Sequence, residues 1–191
     1  MPSINFATSN KEKIQIAQTV CSEFKVSLCV FDLDLDEIQG EDPDRIVKDK
    51  VLRAYAQINK PVVVSDDSWD IKALNGFPGP YMKSINHWFK PDDFLRLMYG
   101  IEDRTIILRQ YLAYTDGNIT KVFQNNIKGK IIDEVRSRTA KSPNMAVIAL
   151  DGDNGKTLAE VFEEGRSALK KRYKDRPDVW HEFVLWYKQF C

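Results

Sequence analysis

Ser3-Ile4-Asn5-Phe6-Ala7-Thr8-Ser9-Asn10-Lys11-Glu12-Lys13 carries a short apolar run straight into a cluster of hydroxyl and amide residues followed by lysines. Residues 3–7 read as a buried strand, and Thr8, Ser9 or Asn10 each suits the N-cap of a following helix. Ile14, Ala17, Cys21 and Phe24 then recur at helical spacing. Val26 to Phe31 reads as a second strand. Asp42-Pro43 sets an N-cap residue before a proline at N1. The apolar face of that second helix is Ile46, Val47, Val51, Ala54, Tyr55 and Ile58. Pro61-Val62-Val63-Val64 is a third strand, ending at the turn-type run Ser65-Asp66-Asp67-Ser68. The order β-α-β-α-β, with further strands and helices after it, predicts a mixed α/β architecture.

The second half is read in the same way. Asn75-Gly76-Phe77-Pro78-Gly79-Pro80-Tyr81 is rich in turn residues, and a helix starts near Pro91-Asp92-Asp93 with Phe94, Leu95, Leu97 and Met98. Strands are expected at Thr105–Tyr114 and Thr120–Lys130, joined by Asp116-Gly117-Asn118, and at Met145–Leu150. Helices are expected over 157–174 and 178–190. In the last of these, Trp180, Phe183, Val184 and Tyr187 form a core-type stripe, with Trp186 and Phe190 outside it. Lys170-Lys171-Arg172-Tyr173-Lys174 reads as a solvated helix face, and Cys21 and Cys29 as packing residues. His87 and His181 are isolated and read as surface or satisfied structural histidines.

Composition narrows the function classes. The 191 residues hold 28 Lys and Arg against 28 Asp and Glu, so bulk charge does not favour a stable nucleic-acid complex. With 43% hydrophobic and 29% charged residues, the chain reads as an ordinary soluble protein, one domain over residues 1–191. No apolar run approaches the roughly 18 residues of a membrane span, and the opening residues lack the pattern of a signal peptide. Cys21, Cys29 and Cys191 are an odd, widely spaced set with no metal-type spacing. The expectation is a cytoplasmic protein without a disulfide framework.

Three places can carry chemistry. At Thr8 to Lys13, hydroxyls, an amide and two ammonium groups meet the N-terminus of a helix, a natural anion site as well as an ordinary cap. The glycine-rich cradle of a P-loop is absent there. Lys50 falls on the apolar stripe with Ile46 and Ala54, where it must snorkel, pair with a carboxylate or reach a ligand phosphate. Asp66 and Asp67 follow the third strand, where ligands gather in open α/β sheets. With Glu37 they form a donor set suited to Mg²⁺, which favours one or two carboxylates plus substrate phosphates. Turn and cap chemistry is the competing reading of the same aspartates.

Taken together, these segments resemble the Ham1-like inosine triphosphate pyrophosphatases. The family's opening Thr-Gly/Ser-Asn-x-x-Lys is matched by Thr8-Ser9-Asn10-Lys11-Glu12-Lys13, and its Glu-x-Gln-Gly by Glu37-Ile38-Gln39-Gly40. Its Ala-Leu-x-Gly-x-Pro-Gly-x-Tyr is present whole as Ala73-Leu74-Asn75-Gly76-Phe77-Pro78-Gly79-Pro80-Tyr81. The resemblance implies an elongated mixed sheet with flanking helices, two lobes around a central nucleotide cleft, and a homodimer. It implies Mg²⁺-dependent hydrolysis of a nucleoside triphosphate to the monophosphate and pyrophosphate. Carried over by position, Thr8, Ser9, Asn10, Lys13 and Lys50 bind the triphosphate, and Glu37 and Asp66 hold the metal and help place the attacking water.

The departures are equally specific. The family's acidic residue before the aligned Asp is replaced by Ser65, and an acid is added as Asp67. An ungapped alignment to Pro78-Gly79 selects Asp66 as the key acid; a one-residue gap selects Asp67. The family's aromatic Phe-Gly-Trp/Tyr-Asp-Pro-x-Phe is missing before Thr157-Leu158-Ala159-Glu160, and so is its later Ser-His-Arg. Arg166 is the residue left to take part of a base-reading role. The phosphate and metal half is retained while the base-reading half is replaced, which implies altered base specificity. The alternatives are a catalytically weak nucleotide-binding protein on the same fold, and an enzyme for another phosphorylated ligand.

Overall fold

A computed structural model describes residues 2–33, 35 and 37–190, with the backbone alone for Arg166 and Ala168. Its strands are β1 (Ser3–Ala7), β2 (Ser27–Phe31), β3 (Val62–Ile71), β4 (Pro78–Gly79), β5 (Thr105–Thr115), β6 (Thr120–Ile131) and β7 (Ile148–Leu150). The helices are α1 (Lys11–Glu23), α2 (Pro43–Ile58), α3 (Met82–Trp88), α4 (Pro91–Leu97), α5 (Leu158–Glu163), α6 (Arg166–Asp175) and α7 (Val179–Tyr187). The strands form one sheet in the order β2-β1-β3-β5-β6-β7, with β4 paired to β3. β1 runs parallel to β2 and β3, whereas the β3–β4 and β6–β7 pairs are antiparallel. The mixed α/β sheet with flanking helices is therefore as expected. The chain divides into two compact units: residues 1–67, 110–125 and 173–191, and residues 68–109 and 126–172.

The first unit is built on two successive β-α-β steps, β1-α1-β2 and β2-α2-β3. Asp42 caps α2 by accepting from the Asp44 amide at 3.0 Å, with Pro43 in the first turn as the sequence predicts. α2 buries Val47, Val51 and Ala54 against Ala7, Val62, Val64, Tyr111 and Ala113. Because side chains alternate along a strand, Phe6 faces the other side, where its ring meets Trp180 of α7 edge-on at 4.8 Å. Trp180, Phe183 and Val184 are all buried, so the aromatic stripe of the last helix is core. His181 is also buried, its Nδ1 3.0 Å from Asp178 Oδ1, and is the satisfied structural histidine the sequence suggests.

The two described cysteines differ, Cys191 lying outside the described residues. Cys21 is buried on α1 as expected, but Cys29 is exposed on β2, the outermost strand of the sheet, which corrects its reading as a packing residue. Burial, then the nearby Asp178 carboxylate, pushes the Cys21 thiol up to about 12. The thiolate is the reactive form, so Cys21 stays protonated and inert at pH 8. Brief alkylation of the native protein followed by peptide mass spectrometry is expected to modify Cys29 and spare Cys21. Denaturant should remove the difference.

The second unit packs Trp69, Ile71, Phe94, Met98, Ile106, Ile131, Ile148 and Leu150 into one core. Gly129 of β6 lies opposite Leu150, and a Cβ there would come within 2.5 Å of the Ala149 carbonyl oxygen. That obstacle is backbone, so Gly129→Ala should force the β6–β7 pair apart at a cost of about 2 kcal/mol. A thermal melt should show a fall of several degrees, roughly 2–4 °C per kcal/mol at this chain length. An unchanged melting temperature would count against the close approach.

Several expectations are corrected here. The turn predicted at Ser65–Ser68 is strand: β3 continues to Ile71 because Trp69 and Asp70 pair with Gly79 and Pro78 of β4. Cross-strand pairing overrides the turn preference of Ser and Asp. The strand over Met145–Leu150 is a 3-10 turn, Pro143–Ala146, followed by β7. The helix over 157–174 is two, α5 and α6, broken where Gly165 takes φ +81°. The basic run is not wholly solvated, since Tyr173 is buried and Arg172 Nη2 lies 2.6 Å from the buried Asp153 carboxylate. α3 follows directly on the glycine and proline turns and is not predicted at all.

Candidate active site

The residues after β1 fix the first part of the site. Thr8 Oγ1 accepts from the Asn10 amide at 3.2 Å, and Asn10 Oδ1 accepts from the Lys13 amide at 3.0 Å. Of the three candidate caps, Asn10 is therefore the one used, while Ser9 is exposed. This places Lys13 in the first turn of α1, at the positive end of the helix dipole. Its ammonium reaches β3, donating to the Ser65 carbonyl at 3.3 Å. It also lies 3.2 Å from Asp67 Oδ2 and 3.8 Å from Asp66 Oδ1.

α2 supplies the second cation. Of the three fates open to Lys50 on its apolar stripe, the structure shows pairing: Nζ is 2.6 Å from Glu37 Oε1. It also donates to the same Ser65 carbonyl at 3.2 Å. Lys13 and Lys50 side chains are only 19% and 12% exposed, so neither is a solvated surface lysine. Burial works against the charge on Lys13, but Asp67, Asp66 and Glu37 outweigh it and hold that ammonium above its ordinary 10.5. Lys13 is thus charged throughout the physiological range.

Two ammonium groups and three carboxylates gather around one backbone oxygen, within β3 rather than past its end. The structure brings together Lys13, Glu37, Lys50, Asp66 and Asp67, with Thr8 and Asn10 one step away through the cap. The Arg166 side chain lies outside the described residues. Sequence reasoning missed Ser65, whose carbonyl joins the two lysines and whose Oγ is buried with no hydrogen-bond partner among the described residues. A main-chain oxygen has no signature in the residue type, although the loss of an acid at 65 marks the position as unusual. Among the described residues, no three His, Cys, Asp or Glu stand ready as a closed metal cage.

A mixed sheet whose third strand carries a cluster of two partly buried lysines and three carboxylates defines an α/β protein with a candidate site on β3. The chain belongs to the Ham1 family, whose sequence model matches residues 4–175. A dITP/XTP pyrophosphatase of Saccharolobus solfataricus is 29% identical over 95% of this chain and 91% of its own length. A dITP/XTP pyrophosphatase of Korarchaeum cryptofilum is 33% identical over 69% of this chain and 71% of its own. The solved structure of a HAM1 protein from Coxiella burnetii superposes with a TM-score of 0.76, covering 99% of this chain and 100% of that one. At 16% identity, that last likeness speaks for the fold.

Proposed function

We propose that this protein is a Mg²⁺-dependent nucleoside triphosphate pyrophosphohydrolase, converting a triphosphate and water to the monophosphate and pyrophosphate. The observation that carries it is the convergence of Lys13 and Lys50 on the Ser65 carbonyl, each within 3.3 Å. Two ammonium groups held that close are suited to a polyphosphate, and the matched relatives are named for activity on dITP and XTP. Lys13 and Lys50 would offset the charge that builds on the pyrophosphate leaving group, with Thr8, Ser9 and Asn10 at the helix start serving the outer phosphates. Asp66 would orient or deprotonate the attacking water.

The donor chemistry fits the metal. Glu37 and Asp66 are hard oxygen donors, and Mg²⁺ takes one or two carboxylates with substrate phosphates rather than a closed cage. Three carboxylates outnumber two ammonium groups, so a polyphosphate meets a net negative site unless a divalent cation comes with it. The Ser65 hydroxyl, buried without a hydrogen-bond partner among the described residues, suits an oxygen ligand or water beside these groups. Bound there, Mg²⁺ would polarise a phosphoryl oxygen.

Base choice is proposed to differ from that of inosine-preferring members, because the aromatic and Ser-His-Arg motifs are missing from this sequence; non-canonical or modified nucleotides are the expected substrates. Work as a homodimer rests on the family resemblance. A cytoplasmic setting suits the free thiols of Cys21 and Cys29, and among the described residues no helix is long and apolar enough to cross a membrane. The test is pyrophosphate release with and without Mg²⁺ from dITP, XTP, ITP, dUTP and the canonical triphosphates. Release that requires Mg²⁺ and ranks the bases supports the proposal. Tight nucleotide binding without release assigns the alternative, a binding protein on the same fold.

A further inference from the structure

We infer that Asp67 is a positioning residue that acts through Lys13, so that the two adjacent aspartates have different duties. The inference rests on the function proposed above. Because β3 runs extended through both residues, Asp66 and Asp67 project to opposite faces of the strand. Asp67 shares its face with Ser65 and Val63, and its Oδ2 stands 3.2 Å from the Lys13 ammonium. Asp66 stands 3.8 Å from the same ammonium, beyond hydrogen-bond reach. Lys50 has a counterion of its own in Glu37, at 2.6 Å.

The charges therefore sort into two pairs, Lys50 with Glu37 and Lys13 with Asp67. Asp66 is the carboxylate least engaged by a cation. A lysine side chain has four rotatable bonds, and an ammonium without a fixed partner wanders. Asp67 and the Ser65 carbonyl hold Lys13 across the strand, aimed before any ligand arrives. The same contact competes with a phosphate oxygen for Lys13. Asp67 thus aids the reaction by aim while weakening ground-state binding.

That double role has a signature that a merely structural residue lacks. Asp67→Asn should lower kcat about 10-fold with KM unchanged or reduced, since aim is lost and a repelling charge is removed. The decisive experiment is a double-mutant cycle on pyrophosphate release from dITP, with melting temperatures recorded for every variant. In a Lys13→Ala background, adding Asp67→Asn should change kcat by less than about 2-fold, because its route of action is gone. In a Lys50→Ala background the full effect should persist. Multiplicative effects of Asp67→Asn and Lys13→Ala would overturn the inference while leaving the proposed function standing, as would a rise in KM alone. If the wild type releases no pyrophosphate from dITP or XTP, the proposed function itself fails, and the melting temperatures then decide the pairing. A Lys13→Ala/Asp67→Asn protein no less stable than the weaker single variant keeps the pair, and additive losses reject it.

Discussion

Asp66→Asn is expected to abolish Mg²⁺-dependent pyrophosphate release, by about 10²–10⁴-fold if the carboxylate handles the water's proton, while the protein melts close to the wild-type temperature. The side chain is 22% exposed and outside either apolar core, so its loss removes chemistry rather than packing. An amide is nearly isosteric with the carboxylate, but it cannot accept a proton at neutral pH and is a poor ligand for a hard dication. Steady-state release from dITP with purified variants measures the effect, and circular dichroism checks the fold. A wild-type rate in Asp66→Asn, with loss in Asp67→Asn instead, would exchange the two aspartates and select the gapped alignment.

Arg172→Met is expected to be the most destabilising of the changes considered. The Arg172 and Asp153 side chains are 8% and 1% exposed at 2.6 Å separation. Removing one member of a buried pair takes away the charge that faces the other at close range, at about 3–5 kcal/mol. For a chain of this size that is roughly 10 °C in melting temperature. Replacing both partners together, as Arg172→Met/Asp153→Leu, should recover most of the loss, since an apolar pair avoids the desolvation of two ions. If the double variant melts no higher than the single one, the effect belongs to lost contacts of Arg172 other than this pair.

These two residues also show where the sequence is readable. The start of α2 is legible because Asp42-Pro43 satisfies a local rule: a side-chain oxygen for free amides, and a ring that fits the first turn. The valines of β3 are legible because a strand buried on both faces reads as a continuous apolar run, and the stripe of α2 because one-sided burial imposes its period. Lys13, Lys50, Glu37, Asp66 and Asp67 could be nominated because charged groups beside apolar strands need a reason. What fails is what depends on distant partners. Arg172 looks like its neighbours Lys170 and Lys171, yet its side chain is tucked away against Asp153, nineteen residues earlier. Ser65-Asp66-Asp67-Ser68 has turn-type residues, yet β4 supplies pairing that keeps the backbone extended beyond it. The Ser65 carbonyl has no side-chain signature, so the centre of the site was invisible while its rim was not.

The edge-on contact of Phe6 with Trp180 has a consequence for how the protein is made. The Tyr187 hydroxyl also donates to the Ser3 carbonyl at 2.8 Å, so the first strand leans on the last helix across most of the chain. During synthesis at about 5–20 residues per second, β1 leaves the ribosome many seconds before the helix that covers its face. Until then Phe6 and its neighbours are an uncovered apolar surface, which chaperones can bind and which invites aggregation. Loss of the chain beyond residue 179 would therefore strip cover from the unit that holds Lys13 and Lys50. A premature stop codon there should be read in the cell as insoluble protein rather than as a trimmed enzyme.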